Sequence, residues 1–89
     1  MTVKEAFEAV ISEFYSGERK PYLVSCLDFG DFWGFGFSGV PREEGGLCYG
    51  YDIVFKADGR ISVINPWYEE NGVELMNNAI KIPIDEVVG

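Results

Sequence analysis

The stretch "DFWGFGFSGV", Asp31 to Val40, alternates the largest side chains with the smallest. Successive side chains of an extended chain point to opposite faces. Trp33, Phe35 and Phe37 therefore share one side of a strand, and Gly34, Gly36 and Ser38 share the other. The bare side is either a bed that something else approaches closely or room for the protein's own helix. With glycines under a helix, Phe7 and Phe14 descend onto the strand and the aromatic side needs another cover. With aromatics under the helix, the glycines form a shallow outward groove. The demand for buried apolar area favours the second arrangement.

Upstream of this strand lies the clearest helix signal, "TVKEAFEAVISEFYSG". Val3, Phe7, Val10 and Phe14 recur at helical spacing, and Ala6 and Ile11 widen the stripe. Thr2 and Glu5 fit a capping box, and Gly17 is placed to end the helix in the left-handed conformation. After "ERKP" the period changes to two. Tyr22 to Phe29 is apolar on both faces, as in a strand inside a sheet, and Gly30-Asp31 suits a two-residue hairpin connection.

Downstream, "PREEGG" from Pro41 to Gly46 reads as a looser link. A third strand is expected from Leu47 to Ala57, with Tyr49, Tyr51, Ile53 and Phe55 on one face. Asp58-Gly59 signals another hairpin, leading into "RISVIN", Arg60 to Asn65. "PWYEENG" is a loop by composition. "VELMNNAIKI" supports a helix through Val73, Met76 and Ile80, or a short fifth strand over Ala79 to Ile82; Pro83 opens a final turn through "IDEVV". One α+β domain over residues 1–89 follows: an N-terminal helix packed on a four- to five-stranded antiparallel meander sheet, in a cystatin-like layout. A single helix covers one sheet face, so the other must be closed by the chain's own end, by a second copy, or by a partner.

Composition excludes several functions. The 89 residues carry 15 acidic and 7 basic side chains and no histidine, for a net charge of −8. Such a surface repels nucleic acid and anionic lipid; it serves solubility alone or, alternatively, attracts a basic partner. No apolar run reaches the length of a membrane span and no secretory leader is evident, which points to the cytoplasm. Cys26 and Cys48, both inside expected strands, read as reduced, buried thiols. Two cysteines without histidine argue against a metal site, and no cofactor is expected. The glycines match no phosphate-cradling pattern.

Catalysis would have to begin with carboxylates. Asp28 and Asp31 flank the first hairpin, where turn aspartates bond to local backbone. Asp52, between Tyr51 and Ile53, either faces solvent or is a buried acid with a specific partner. No catalytic residue is assigned, and the chain is expected not to be an enzyme. The acid-rich end instead holds "PWYEE", where Trp67 and Tyr68 adjoin Glu69 and Glu70. An aromatic anchor bordered by charge suits a protein interface; alternatively, the two rings fold back to cover the sheet. Glu43 and Glu44 extend the same acidic surface. These six residues are the expected partner-binding set. A ligand pocket between helix and sheet, built from Gly34 and Gly36 with Tyr49 or Tyr51 as polar handles, is the alternative, and a structural homodimer is a third reading.

The order of helix, "PYLV" strand, "WGFGF" strand, "FKADGRI" turn and terminal "PIDEVV" resembles the small bacterial immunity proteins of the YrhB-like family. Trp33, Gly34 and Phe35 correspond to that family's aromatic cluster. Phe55 to Ile61 correspond to its turn, and Pro83, Ile84, Asp85 and Glu86 to its terminal motif. Trp and Gly come in swapped order here, and the link before the terminal motif is longer. The resemblance implies a cytoplasmic protein that neutralises a toxin; it carries over no binding residue.

Overall fold

The computed structural model describes residues 1–15, 17 and 21–88. The chain runs α1 (Val3–Phe14), β1 (Tyr22–Asp28), β2 (Phe32–Ser38), β3 (Tyr51–Phe55), β4 (Ile61–Ile64), α2 (Gly72–Asn78), β5 (Ile80–Lys81) and α3 (Ile84–Val88). The strands form one open antiparallel sheet in the order β4-β3-β2-β1-β5, so β2 is its centre. Four strands are a meander, and β5 returns to the far side of β1.

The N-terminal helix begins as its sequence dictates. The Thr2 hydroxyl accepts from the Glu5 N–H at 3.2 Å, and the Glu5 carboxylate accepts from the Thr2 N–H at 2.8 Å. Its end differs from expectation: Tyr15 is the C-cap, and Gly17 is not among the left-handed glycines. Gly30 and Gly59 do carry positive φ, 100° and 73°, at the two hairpins. The first is the expected two-residue connection, closed by the Phe29 N–H donating to the Phe32 carbonyl. The second is longer, spanning Lys56 to Gly59, and the Asp58 carboxylate accepts from the Arg60 N–H at 3.0 Å.

β2 answers the question its sequence poses. Trp33 and Phe35 join Ala6, Val10, Cys26, Val54 and Val87 in the main core, with Phe7, Tyr15 and Phe37 packed against it. The aromatic side therefore lies under α1, and Phe35 is fully buried. α3 joins that layer through Val87. The glycine side is neither a groove nor a bed for a helix. A Cβ at Gly34 would meet the Phe29 ring, and one at Gly36 would meet Cys48, whose own Cβ would be 2.9 Å away. Phe29 packs edge-on to Tyr51 (5.9 Å) and stacks on Phe32 (5.1 Å), which meets Phe55 at 5.4 Å. Phe29 and Tyr51 lie against the bare backbone, and with Phe32 and Phe55 they pack a second core around Leu27 and Ile53. Met76 and Ala79 from the C-terminal region complete the cover. The chain's own end thus closes both faces: α2 toward the glycine side, α3 toward the aromatic side, and β5 at the edge between them.

β3 falls furthest short of its expected span, Leu47 to Ala57. β3 starts at Tyr51, so Cys48 and Tyr49 lie in the preceding loop and not in a strand. "VELMNNAIKI" holds both alternatives in turn, a helix to Asn78 and a two-residue strand after it.

Because Cys48 sits on the Gly36 backbone, Gly36→Ala is expected to destabilise the fold by about 1–3 kcal/mol through overpacking. Urea unfolding measures it. Adding Cys48→Ala, which removes the thiol from the contact, should restore part of the loss, giving a non-zero coupling in the double-mutant cycle.

Candidate functional site

Strand register brings four segments to one end of the sheet. Tyr22 opens β1 opposite Ser38, which closes β2, and Tyr51 opens β3 opposite Ile64, which closes β4. The 39–50 connection and the 65–71 connection therefore emerge side by side. The C-terminal end of α1 reaches the same end, where the Tyr15 hydroxyl donates to the Asp52 carboxylate at 2.8 Å.

Both connections are built rather than slack. Pro41 leads a 3-10 turn over Arg42–Glu44, closed by the Gly45 N–H donating to the Arg42 carbonyl at 3.0 Å. Gly45 has φ 89°, and a side chain at Gly46 would collide with the Val40 and Pro41 carbonyls. In the second connection, the Asn65 side-chain oxygen accepts from the Trp67 N–H at 3.1 Å, and its carbonyl accepts from the Tyr68 N–H at 2.9 Å. Gly72 then packs directly on the Pro66 backbone. Pro66 and Gly72 are buried, whereas the residues between them project outward.

The rings of "PWYEE" consequently do not fold back over the sheet. Trp67 is 68 % exposed and Tyr68 is 88 % exposed. In the neighbouring connection, Leu47 is 72 % and Tyr49 is 82 % exposed. Glu43, Glu44, Glu69 and Glu70 are all exposed. The structure thus brings the six expected partner-binding residues to one end of the molecule. It adds Leu47 and Tyr49, which periodicity had placed within a strand.

The alternative pocket between helix and sheet is not formed by its expected residues. Gly34 and Gly36 face away from α1 and are covered by Phe29, Cys48 and Tyr51, while Tyr49 points into solvent. Tyr51 is buried, with its hydroxyl 3.2 Å from the Ser25 hydroxyl. A cleft of about 470 Å³ does open beside it, on β1 and β5 and between the two connections; Leu47, Trp67, Arg42 and Lys81 are among its lining residues. Arg42 and Lys81 had no signal in the sequence, because neither falls in a motif or at a periodic position.

Several titratable groups are shifted by burial or by a specific partner. Asp52 has a specific partner, Tyr15; burial raises its carboxyl above the ordinary value, and the Tyr15 hydroxyl offsets part of that rise. Burial, with the neighbouring carboxylate, pushes the Tyr15 phenol up to about 12. Burial likewise pushes the Cys26 thiol up to about 12, so it stays protonated and inert. Both cysteines are free thiols. Asp28 is held below its usual range, chiefly by Lys56, whose ammonium lies 2.9 Å from it and also over the Trp33 ring at 5.1 Å. Among the described residues, no group of three or more acidic, Cys or His side chains is placed to hold a metal ion, and no helix is long and apolar enough to cross a membrane. Compared with protein-family models, curated proteins and solved structures, the chain has no significant match in any of the three.

The Tyr15–Asp52 pair gives a pH test. The folded-state pKa of Asp52 is raised, so its favourable contribution is complete below the unfolded value and is lost as pH rises through the folded one. Asp52→Asn keeps an acceptor without the charge. Its stability relative to the parent should therefore rise as pH increases from below the ordinary carboxylate range through the raised folded-state value, as followed by thermal unfolding. Tyr15→Phe leaves the half-buried carboxylate without its donor and should cost about 1–3 kcal/mol at neutral pH.

Proposed function

We propose that the chain is a non-enzymatic protein-binding module that presents its loop end to a basic protein partner. The observation that carries this reading is the fixed exposure of Trp67, Tyr68, Leu47 and Tyr49 among Glu43, Glu44, Glu69 and Glu70. Trp and Tyr are the side chains that most often dominate interface energetics, since each buries a large area at low conformational cost. The backbone bonds that hold the Asn65–Gly72 connection reduce the ordering penalty on binding. The carboxylates around the rings, in a chain of net charge −8, would speed encounter with a cationic surface and disfavour anionic competitors. A toxin domain neutralised by complex formation is the partner class that the resemblance to YrhB-like immunity proteins supports.

A second reading, a structural homodimer, draws on β4. This edge strand, "ISVI", carries no charge or proline, and Val63 is 62 % exposed. A monomer in sedimentation at low concentration would exclude an obligate pair.

The leading reading is tested by affinity capture from the native host at low and raised salt, followed by titration of the captured protein. A basic protein should be retained, with an association rate that falls steeply as salt rises. Trp67→Ala and Tyr68→Ala should each weaken binding by about 2 kcal/mol or more, mainly through faster dissociation. Reversing Glu43, Glu44, Glu69 and Glu70 to Lys should instead slow association. Recovery of no basic partner, or binding indifferent to all these changes, rejects the proposal.

A further inference from the structure

We infer that the cleft beside Tyr51 binds a small molecule that joins an aromatic or apolar body to an anionic group, such as an aromatic carboxylate or sulfonate. This goes beyond the protein-binding reading and does not depend on it. The cleft's volume, about 470 Å³, falls within the range of about 300–1,000 Å³ typical of small-molecule sites. It has the mixed lining such sites use. Leu47 and Trp67 supply exposed apolar walls from the two connections, with Val24 behind them on β1. The Ser25 and Tyr51 hydroxyls supply a polar floor.

Charge decides the ligand class. In a chain with 15 carboxylates and 7 cations, the cleft is lined by two cations, Arg42 and Lys81, and by one carboxylate, Asp85. Neither cation has an ion-pair partner among the described residues, where Lys56–Asp28 is the one salt bridge. A guanidinium and an ammonium facing the same cleft favour an anion, the guanidinium with two parallel donors. The short β5 holds the site open. It pairs only with Leu27 and Asp28, and after the Ile82 N–H donates to the Cys26 carbonyl the chain turns away at Pro83. The β1 edge beyond that bond forms part of the lining, through Val24 and Ser25.

Two matched probes test the inference on the isolated chain. Anilinonaphthalene sulfonate and phenylnaphthylamine share an aromatic body and differ in the anionic group. Fluorescence titration and calorimetry should show one saturable site per chain, with the sulfonate bound roughly tenfold more tightly than the neutral analogue. Arg42→Gln combined with Lys81→Gln should abolish that preference and leave the neutral probe's affinity unchanged. Trp67→Ala should weaken both probes. Because loosened proteins also bind such dyes, each variant must first show cooperative unfolding like that of the parent. Absence of saturable binding, binding at many sites, or a charge preference that survives the double substitution overturns the inference. No partner is present in these titrations, and neither Arg42 nor Lys81 belongs to the proposed partner surface. Failure here would therefore leave the protein-binding reading standing, and the reverse also holds.

Discussion

The whole architecture turns on the asymmetry of β2. A central strand must be covered on both faces, and this one provides very different surfaces for the purpose. On one face Trp33, Phe35 and Phe37 fill the space beneath α1, with Phe35 fully enclosed. On the other, Gly34 and Gly36 add no height, so rings anchored on either side can come down close to the backbone. Phe29 comes from the hairpin that precedes β2, and Tyr51 comes from the strand that follows it. A short chain gains two buried layers in this way with only one substantial helix. The second layer is made mostly of side chains belonging to the sheet and its connections, with Met76 of α2 and its C-cap Ala79 packed against them.

That economy has a consequence for function. The aromatics that do not reach either layer are concentrated where the 39–50 and 65–71 connections leave the sheet. Exposed apolar rings are tolerated singly on most proteins, whereas several held together on fixed backbone are characteristic of interaction sites. Here the backbone is held by bonds that the neighbouring residues supply: Asn65 caps the turn that displays Trp67, and Gly72 locks that turn against Pro66. The Tyr15–Asp52 bond ties the end of α1 to β3 at the same place. A half-buried carboxylate lowers stability at neutral pH, yet it pins the helix terminus behind the loops. The loop end is thus stiffened from behind while its front stays uncovered.

The parts legible in the sequence were those in which local chemistry and tertiary demand agree. The helix stripe, the capping box and the Gly30-Asp31 hairpin each follow from a few adjacent residues, and β2 declared its two faces outright. The side of β2 under α1 followed from bulk, because the largest residues are needed in the thickest part of the core. Reading failed where alternation continued past the end of pairing. Tyr49 and Tyr51 look like successive residues of one strand face, but Gly50 packs on the Ile64 carbonyl and β3 begins only after it. Trp67 and Tyr68 were ambiguous for a related reason. Whether a ring on a loop turns inward is set by the turn that carries it, and here the Asn65 side chain and carbonyl accept from the Trp67 and Tyr68 N–H groups in a turn that leaves both rings exposed. The cleft cations were invisible because Arg42 and Lys81 lie far apart in the chain and meet only through the return of β5 to the edge of β1.

That return also sets the electrostatic character of the surface. Without β5, Lys81 would be an isolated cation in an acid-rich tail. Antiparallel pairing of Leu27 with Lys81 fixes its backbone beside β1, and the 3-10 turn at Arg42–Glu44 puts Arg42 on the lining of the same cleft. Glu43 and Glu44 follow Arg42 directly and are exposed. One short turn therefore contributes carboxylates to the outward surface and a guanidinium to the recess beside it. A net charge of −8 summarises the molecule as uniformly repulsive to anions, but screening confines such effects to about 8–10 Å at physiological salt. Within that distance the local arrangement outweighs the total. An acidic outward surface and a recess lined by two cations and one carboxylate thus lie at one end of a small domain, which suits the two proposed ligands of opposite sign.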